Sequence, residues 1–112
     1  MKKIEAIVRP GKLEDIKDAL NKSNVQGITI SQVMGCGNQK GRKEYYRGTE
    51  VTMNLLPKIK IEIVVKDESL DYVLAILQKE AKTGEVGDGK IFVYNIENAI
   101  RIRTGDQGDA AI

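Results

Sequence analysis

The sequence predicts an α+β fold, with one four-stranded antiparallel sheet carrying two helices on a single face. Three observations lead there. Four short segments have strand-like patterning, two others place apolar residues at helical spacing, and the order runs strand–helix–strand twice over. A long polar stretch separates the two halves. At 112 residues the chain has the length of one domain, 1–112, with a modest core.

Residues 3–8, KIEAIV, put Ile4, Ala6 and Val8 on one strand face and Glu5, Ile7 and Arg9 on the other; Pro10-Gly11 ends the strand. KLEDIKDALNKS then spaces Leu13, Ile16, Ala19 and Leu20 as an amphipathic helix. GITISQVM reads as a second strand, with Ile28, Ile30 and Met34 on one face and a slip near Val33. The clearest strand is PKIKIEIVV, where Ile59, Ile61, Ile63 and Val65 oppose Lys58, Lys60, Glu62 and Val64. Asp67 is placed to cap a second helix through Leu70, Val73, Leu74, Leu77 and Ala81, which Thr83 and Gly84 stop. KIFVYNI forms the fourth strand, and AIRIR a short extended segment before the polar tail 104–112.

Two such halves interleave most simply into the ferredoxin-like arrangement. Its helices cover one side of the sheet. The other side keeps Ile7, Val64, Phe92 and Tyr94 among its charges, too apolar to stand bare. A homo-oligomer burying that face resolves the difficulty.

Composition narrows the chemistry. The chain has no histidine, which removes the commonest general base and metal ligand, and Cys36 is its only cysteine, so neither an intrachain disulfide nor a thiolate cage forms. A single free thiol and an N-terminus without a signal-peptide core fit a reducing, cytoplasmic setting. A net charge of +2 and 4% aromatic residues argue against nucleic acid as a partner.

TGEVGDGKIF, residues 83–92, sets Gly84, Gly87 and Gly89 around Asp88 and before Lys90. The stretch reads either as a helix-to-strand turn or as a backbone cradle offering N–H groups to an anion. Arg101 and Arg103 lie on one face of the extended segment without carboxylates nearby in sequence, and with Lys90 they make a triphosphate clamp. Their bland alternative is a solvated strand face.

Together, TGEVGDGKIFV, AIRIRTG, the GCGNQKG run at Gly35–Gly41 and YRG at Tyr46–Gly48 resemble the PII signal-transduction proteins of nitrogen control, along essentially the whole chain. The resemblance implies a homotrimer with nucleotide clefts between neighbours, where ATP and ADP compete and 2-oxoglutarate joins MgATP. It implies Ile7, Thr29, Glu62 and Val64 around the adenosine. Gly35, Cys36, Gly37, Asn38 and Gln39, with Gly87, Asp88, Gly89 and Lys90, would line the phosphates. Arg101 and Arg103 would come from the neighbouring chain or the rim. Gln39 would help hold Mg²⁺, and Lys58 would face a carboxylate of 2-oxoglutarate, whose site the backbone of Lys40 and Gly41 completes.

Residues 37–55 correspond to that family's effector loop. Ordering all 19 residues costs on the order of 20–40 kcal/mol at roughly 1–2 per residue. A ligand at ~100 times its dissociation constant supplies only about 2.7. Small-molecule saturation therefore biases the loop base, and the tip waits for a protein partner. Val51 stands where the family carries its nucleotidylated tyrosine, so that modification has no acceptor there; Thr49 falls where some members carry a phosphorylated serine. Tyr45, Tyr46, Arg47, Gly48 and Thr49 read as the docking tip. This pattern resembles the ammonium-transporter-linked branch, with Arg47 as the plug, and membrane contact would arise only through the transporter. A nitrogen-control transcription factor or a glutamine-synthetase-related protein is the other implied target. Asn38 departs from the arginine of many relatives, which bears on discrimination between ATP and ADP.

The competing readings are a small phosphohydrolase with Asp88 or Glu62 as base, and a sensor of adenylates alone. No activated nucleophile pair supports the first.

Overall fold

The computed structural model describes residues 1–36, 44–46, 49–51 and 55–112, with the backbone alone at 44–46 and 49–51. The elements run β1 (Lys2–Val8), α1 (Leu13–Lys22), β2 (Ile28–Gly35), β3 (Glu44–Tyr46), β4 (Thr49–Val51), β5 (Leu56–Val65), α2 (Leu70–Ala81) and β6 (Lys90–Asn95). Four of the strands form one antiparallel sheet in the order β2–β5–β1–β6, the ferredoxin-like topology. The second half has inserted its first strand between those of the first half.

The period-two alternation explains the core. Ile4, Ala6 and Val8 of β1 and Ile59, Ile61, Ile63 and Val65 of β5 face the helices, where Ile16 and Leu20 of α1 and Val73, Leu77 and Ala81 of α2 close over them. Each large aliphatic side chain so buried stabilises the fold by roughly 1.5–3 kcal/mol. Register is fixed because a slip of one residue would send this whole set to the open face.

Three expectations need correction. There is no slip near Val33: β2 pairs without a break from Ile28↔Ile63 to Gly35↔Leu56, and Val33, opposite Lys58, lies on the open face. Ile30 and Met34 do lie on the helix side, yet they are 39% and 60% exposed, because β2 is an edge strand running beyond the helices. Asp67 does not cap α2. It opens a 3₁₀ turn, Asp67–Ser69, and its carboxylate instead meets the Met1 amino nitrogen at 2.9 Å.

The third correction concerns the tail. Residues 100–107 form a hairpin rather than an extended segment: Ile100 bridges Gln107, and the Arg101 carbonyl accepts from Gly105 N–H at 2.7 Å. Gly105, at φ +74°, allows the reversal, and Thr104 donates to Asp106 at 2.9 Å. Within the region between β2 and β5, β3 and β4 pair as a hairpin from Glu44↔Val51 to Tyr46↔Thr49. Three-residue strands are too short to show a period, so alternation gave no signal of them.

Candidate functional site

The C-terminal end of β1, the start of β5 and the turn before β6 enclose a cleft of about 410 Å³, lined among others by Ile7, Gly35, Cys36, Leu56, Lys58 and Phe92. Topology brings these together. β1 and β5 are neighbours, and antiparallel pairing of β1 with β6 sets Ile7 opposite Lys90. Gly87, Gly89 and Lys90 complete one wall.

The 83–89 turn is held in an unusual way. Asp88 accepts from the backbone N–H groups of Thr83 and Gly84, both at 2.9 Å, and also from the Thr83 hydroxyl. Arg9 reaches it from the end of β1, Nε donating to Asp88 Oδ1 at 3.0 Å and Nη2 to the Val86 carbonyl at 2.7 Å. Lys58 Nζ donates to the Gly87 carbonyl at 2.6 Å. The carbonyls of Val86 and Gly87, which would repel an anion, are thus engaged by cations. Among the described residues, no acceptor takes the amide of Gly87, while the Asp88 amide closes the turn at Val86–Gly87 onto the Glu85 carbonyl. A turn with occupied carbonyls and an open Gly87 amide suits an anionic ligand.

Gly87 and Gly89 have φ of +104° and +99°, a region that side chains rarely adopt. At Gly89 the reason for glycine is also steric. A Cβ there would sit 1.7 Å from the Ile7 carbonyl oxygen, so the turn crosses directly over β1.

These contacts set the charges. Hydrogen bonds from Thr83, then from the Gly84 backbone and Arg9, hold the Asp88 carboxyl well below the usual carboxylate range. Partial burial, then the Arg9 guanidinium, lower the Lys58 ammonium from its ordinary value, against the pull of Asp88. An anion entering beside Lys58 opposes both lowering effects.

Of the expected adenosine contacts, only Ile7 lines this cleft. Thr29 and Glu62 pair with each other across β2 and β5, and Val64 follows two residues on, all farther along the same open face. Glu62 is engaged by Lys3 at 3.2 Å. Lys3 also sits 4.8 Å from the Tyr94 ring centre, and the Tyr94 hydroxyl donates to Glu5 at 3.1 Å. Gly35, Cys36, Gly87, Gly89, Lys90 and Lys58 do converge. Asp88 borders the turn but spends its carboxylate within it. Within the single chain Arg101 and Arg103 do not join Lys90 in a clamp, because the tail turns there and Arg101 faces Asp106 at 3.7 Å. Lys58, expected to meet a carboxylate, is engaged here by the Gly87 carbonyl. Gly37, Asn38, Gln39, Lys40, Gly41, Arg47 and Gly48 lie outside the described residues, and Tyr45, Tyr46 and Thr49 are described by backbone alone.

Sequence reasoning missed Leu56, Phe92, Arg9 and Thr83. Alternation could have found the first two, because Leu56 lies two residues before Lys58 and Phe92 two after Lys90, on the same face. Thr83 and Asp88 form a local turn signature. Arg9 had no signal, since 79 positions separate it from Asp88.

A family model described as nitrogen regulatory protein P-II matches residues 1–106. The chain is 53% identical over 112 residues to the nitrogen regulatory protein P-II of Rhodospirillum rubrum, all of both chains being covered. It is 50% identical, with the same full coverage, to nitrogen regulatory protein P-II of Haemophilus influenzae and to nitrogen regulatory protein P-II 1 of Escherichia coli.

Proposed function

This chain belongs to the nitrogen regulatory protein P-II family, and from that premise we propose that it is a non-enzymatic sensor of adenylate nucleotides and 2-oxoglutarate. ATP and ADP compete for the cleft beneath the glycine turn. The observation that carries this reading is the turn itself, with the Val86 and Gly87 carbonyls held by Arg9 and Lys58 and the Gly87 amide open. Phosphates would lie along Gly87–Lys90 and the Gly35–Gln39 segment, with the adenosine running toward Thr29, Glu62 and Val64.

Mg²⁺ would arrive with the phosphates and neutralise their charge. The family resemblance gives the Gln39 amide oxygen as the ion's protein ligand, a donor that suits a hard cation. Lys58 lines the cleft beside Gly35 and Cys36. Exchanging the Gly87 carbonyl for a ligand carboxylate would give it a stronger, charge-assisted partner. That is the role proposed for it toward 2-oxoglutarate, with the Lys40 and Gly41 backbone.

The assembly is a homotrimer that buries the open sheet face, where Phe92 and Tyr94 are exposed in the single chain. The neighbouring chain then supplies Arg101 and Arg103, whose hairpin holds them away from their own cleft. The loop bearing Tyr45, Tyr46, Arg47, Gly48 and Thr49 docks on an ammonium transporter from the cytoplasm, and a transcription factor or a glutamine-synthetase-related protein is a further target. A hydrolase is disfavoured because Asp88 is locked in its turn and Glu62 is paired with Lys3.

The test is competitive titration with ATP and ADP while product formation is followed. Mutual displacement without turnover supports the sensor. Steady hydrolysis, or no binding of either nucleotide, refutes it.

A further inference from the structure

Arg9 is the residue through which the glycine turn is tied to the sheet. It follows the last residue of β1 and lies 79 positions from Asp88, yet its guanidinium spans the turn, with one nitrogen on the Asp88 carboxylate and another on the Val86 carbonyl. Asp88 in turn gathers Thr83 and Gly84, so one side chain joins the end of β1 to both limbs of the turn. The Gly89 backbone rests on the Ile7 carbonyl two residues upstream, which leaves Arg9 as the polar half of the same junction. Arg9 does not line the cleft described above.

We propose that Arg9 is a positioning residue for phosphate recognition, acting through Asp88 and the Val86 carbonyl to hold the turn and its open Gly87 amide in place. The inference rests on the nucleotide reading of the cleft. A turn fixed before the ligand arrives loses less freedom on binding, and the planar fork suits a two-point grip that one ammonium cannot reproduce. The effect should fall on phosphate affinity and spare the base.

The experiment compares ATP and adenosine binding to the full chain for the parent, Arg9→Gln, Arg9→Lys, Asp88→Asn and the Arg9→Gln/Asp88→Asn pair. Arg9→Gln is expected to weaken ATP roughly tenfold to a hundredfold while leaving adenosine unchanged, and Arg9→Lys to recover part of the loss. The double variant should lose about as much as the worse single one, because the two side chains act as a unit. Parent-like ATP binding by Arg9→Gln overturns the proposal alone. So does an equal loss of adenosine, which marks a general folding effect, or additive losses in the pair, which place Arg9 on the ligand itself. If Arg9→Gln fails to fold, undiminished ATP binding by Arg9→Lys overturns it instead. Failure of the parent to bind ATP removes the nucleotide reading together with this inference.

Discussion

Replacing Gly89 with alanine probes the junction between the glycine turn and the sheet. The new Cβ would lie 1.7 Å from the Ile7 carbonyl oxygen, where real contacts stay beyond 3.0 Å, so the turn must retreat by about 1.3 Å. The backbone at φ +99° adds strain whatever the space; for a non-glycine residue such a conformation costs about 1–3 kcal/mol. A shift of that size carries an amide out of hydrogen-bonding range of a phosphate seated on the turn. One or two charge-assisted bonds, at roughly 1.5–3 kcal/mol each, are then lost. At 1.4 kcal/mol per decade, a loss near 3 predicts about a hundredfold weaker ATP binding. Calorimetry measures the affinity, and denaturant unfolding measures a stability loss of about 1–3 kcal/mol. Gly11→Ala is the control, because a Cβ there meets only open space. Parent-like affinity and stability in Gly89→Ala would refute the reasoning.

Lys58→Ala should lose 2-oxoglutarate binding and keep most ATP affinity. In the parent, affinity for the acid should fall as pH rises through the lowered Lys58 value, because the bound carboxylate needs the ammonium; titrations from neutral to alkaline pH check both. Asp88→Asn should destabilise the fold at neutral pH. The Asp88 carboxyl is held below its ordinary 3.8, so its contribution is present above that value and is lost as pH falls through the folded one. The stability gap between parent and variant should therefore close in strong acid, as denaturant curves on both sides of 3.8 will show. Arg47→Ala should leave nucleotide binding intact and abolish capture by the ammonium transporter in a pull-down; normal capture would eliminate Arg47 as the plug.

How much was legible followed from how local each signal was. The isoleucines of β5 and the period-two run of β1 announced the sheet and its buried face, because strand patterning and burial share one cause. The glycine triplet left two readings open. Only its place over Ile7, with Arg9 and Lys58 on its carbonyls, favours the anion-binding one. The extended reading of AIRIR failed because alternation over five residues cannot distinguish a strand from the arm of a tight turn, and Gly105 with Thr104 and Asp106 made the turn. Asp67 looked like a cap by position alone, but the Met1 amino group, brought alongside by the β1–β5 pairing, takes its carboxylate.

The central claim is that nucleotide and acid share one cleft and strengthen each other there. Calorimetric titration of the chain with 2-oxoglutarate, with and without MgATP, tests it most directly. The account predicts that the acid binds only when MgATP is present, and that each ligand tightens the other by the same factor. Binding of the acid without nucleotide, or ATP affinity indifferent to the acid, would contradict it.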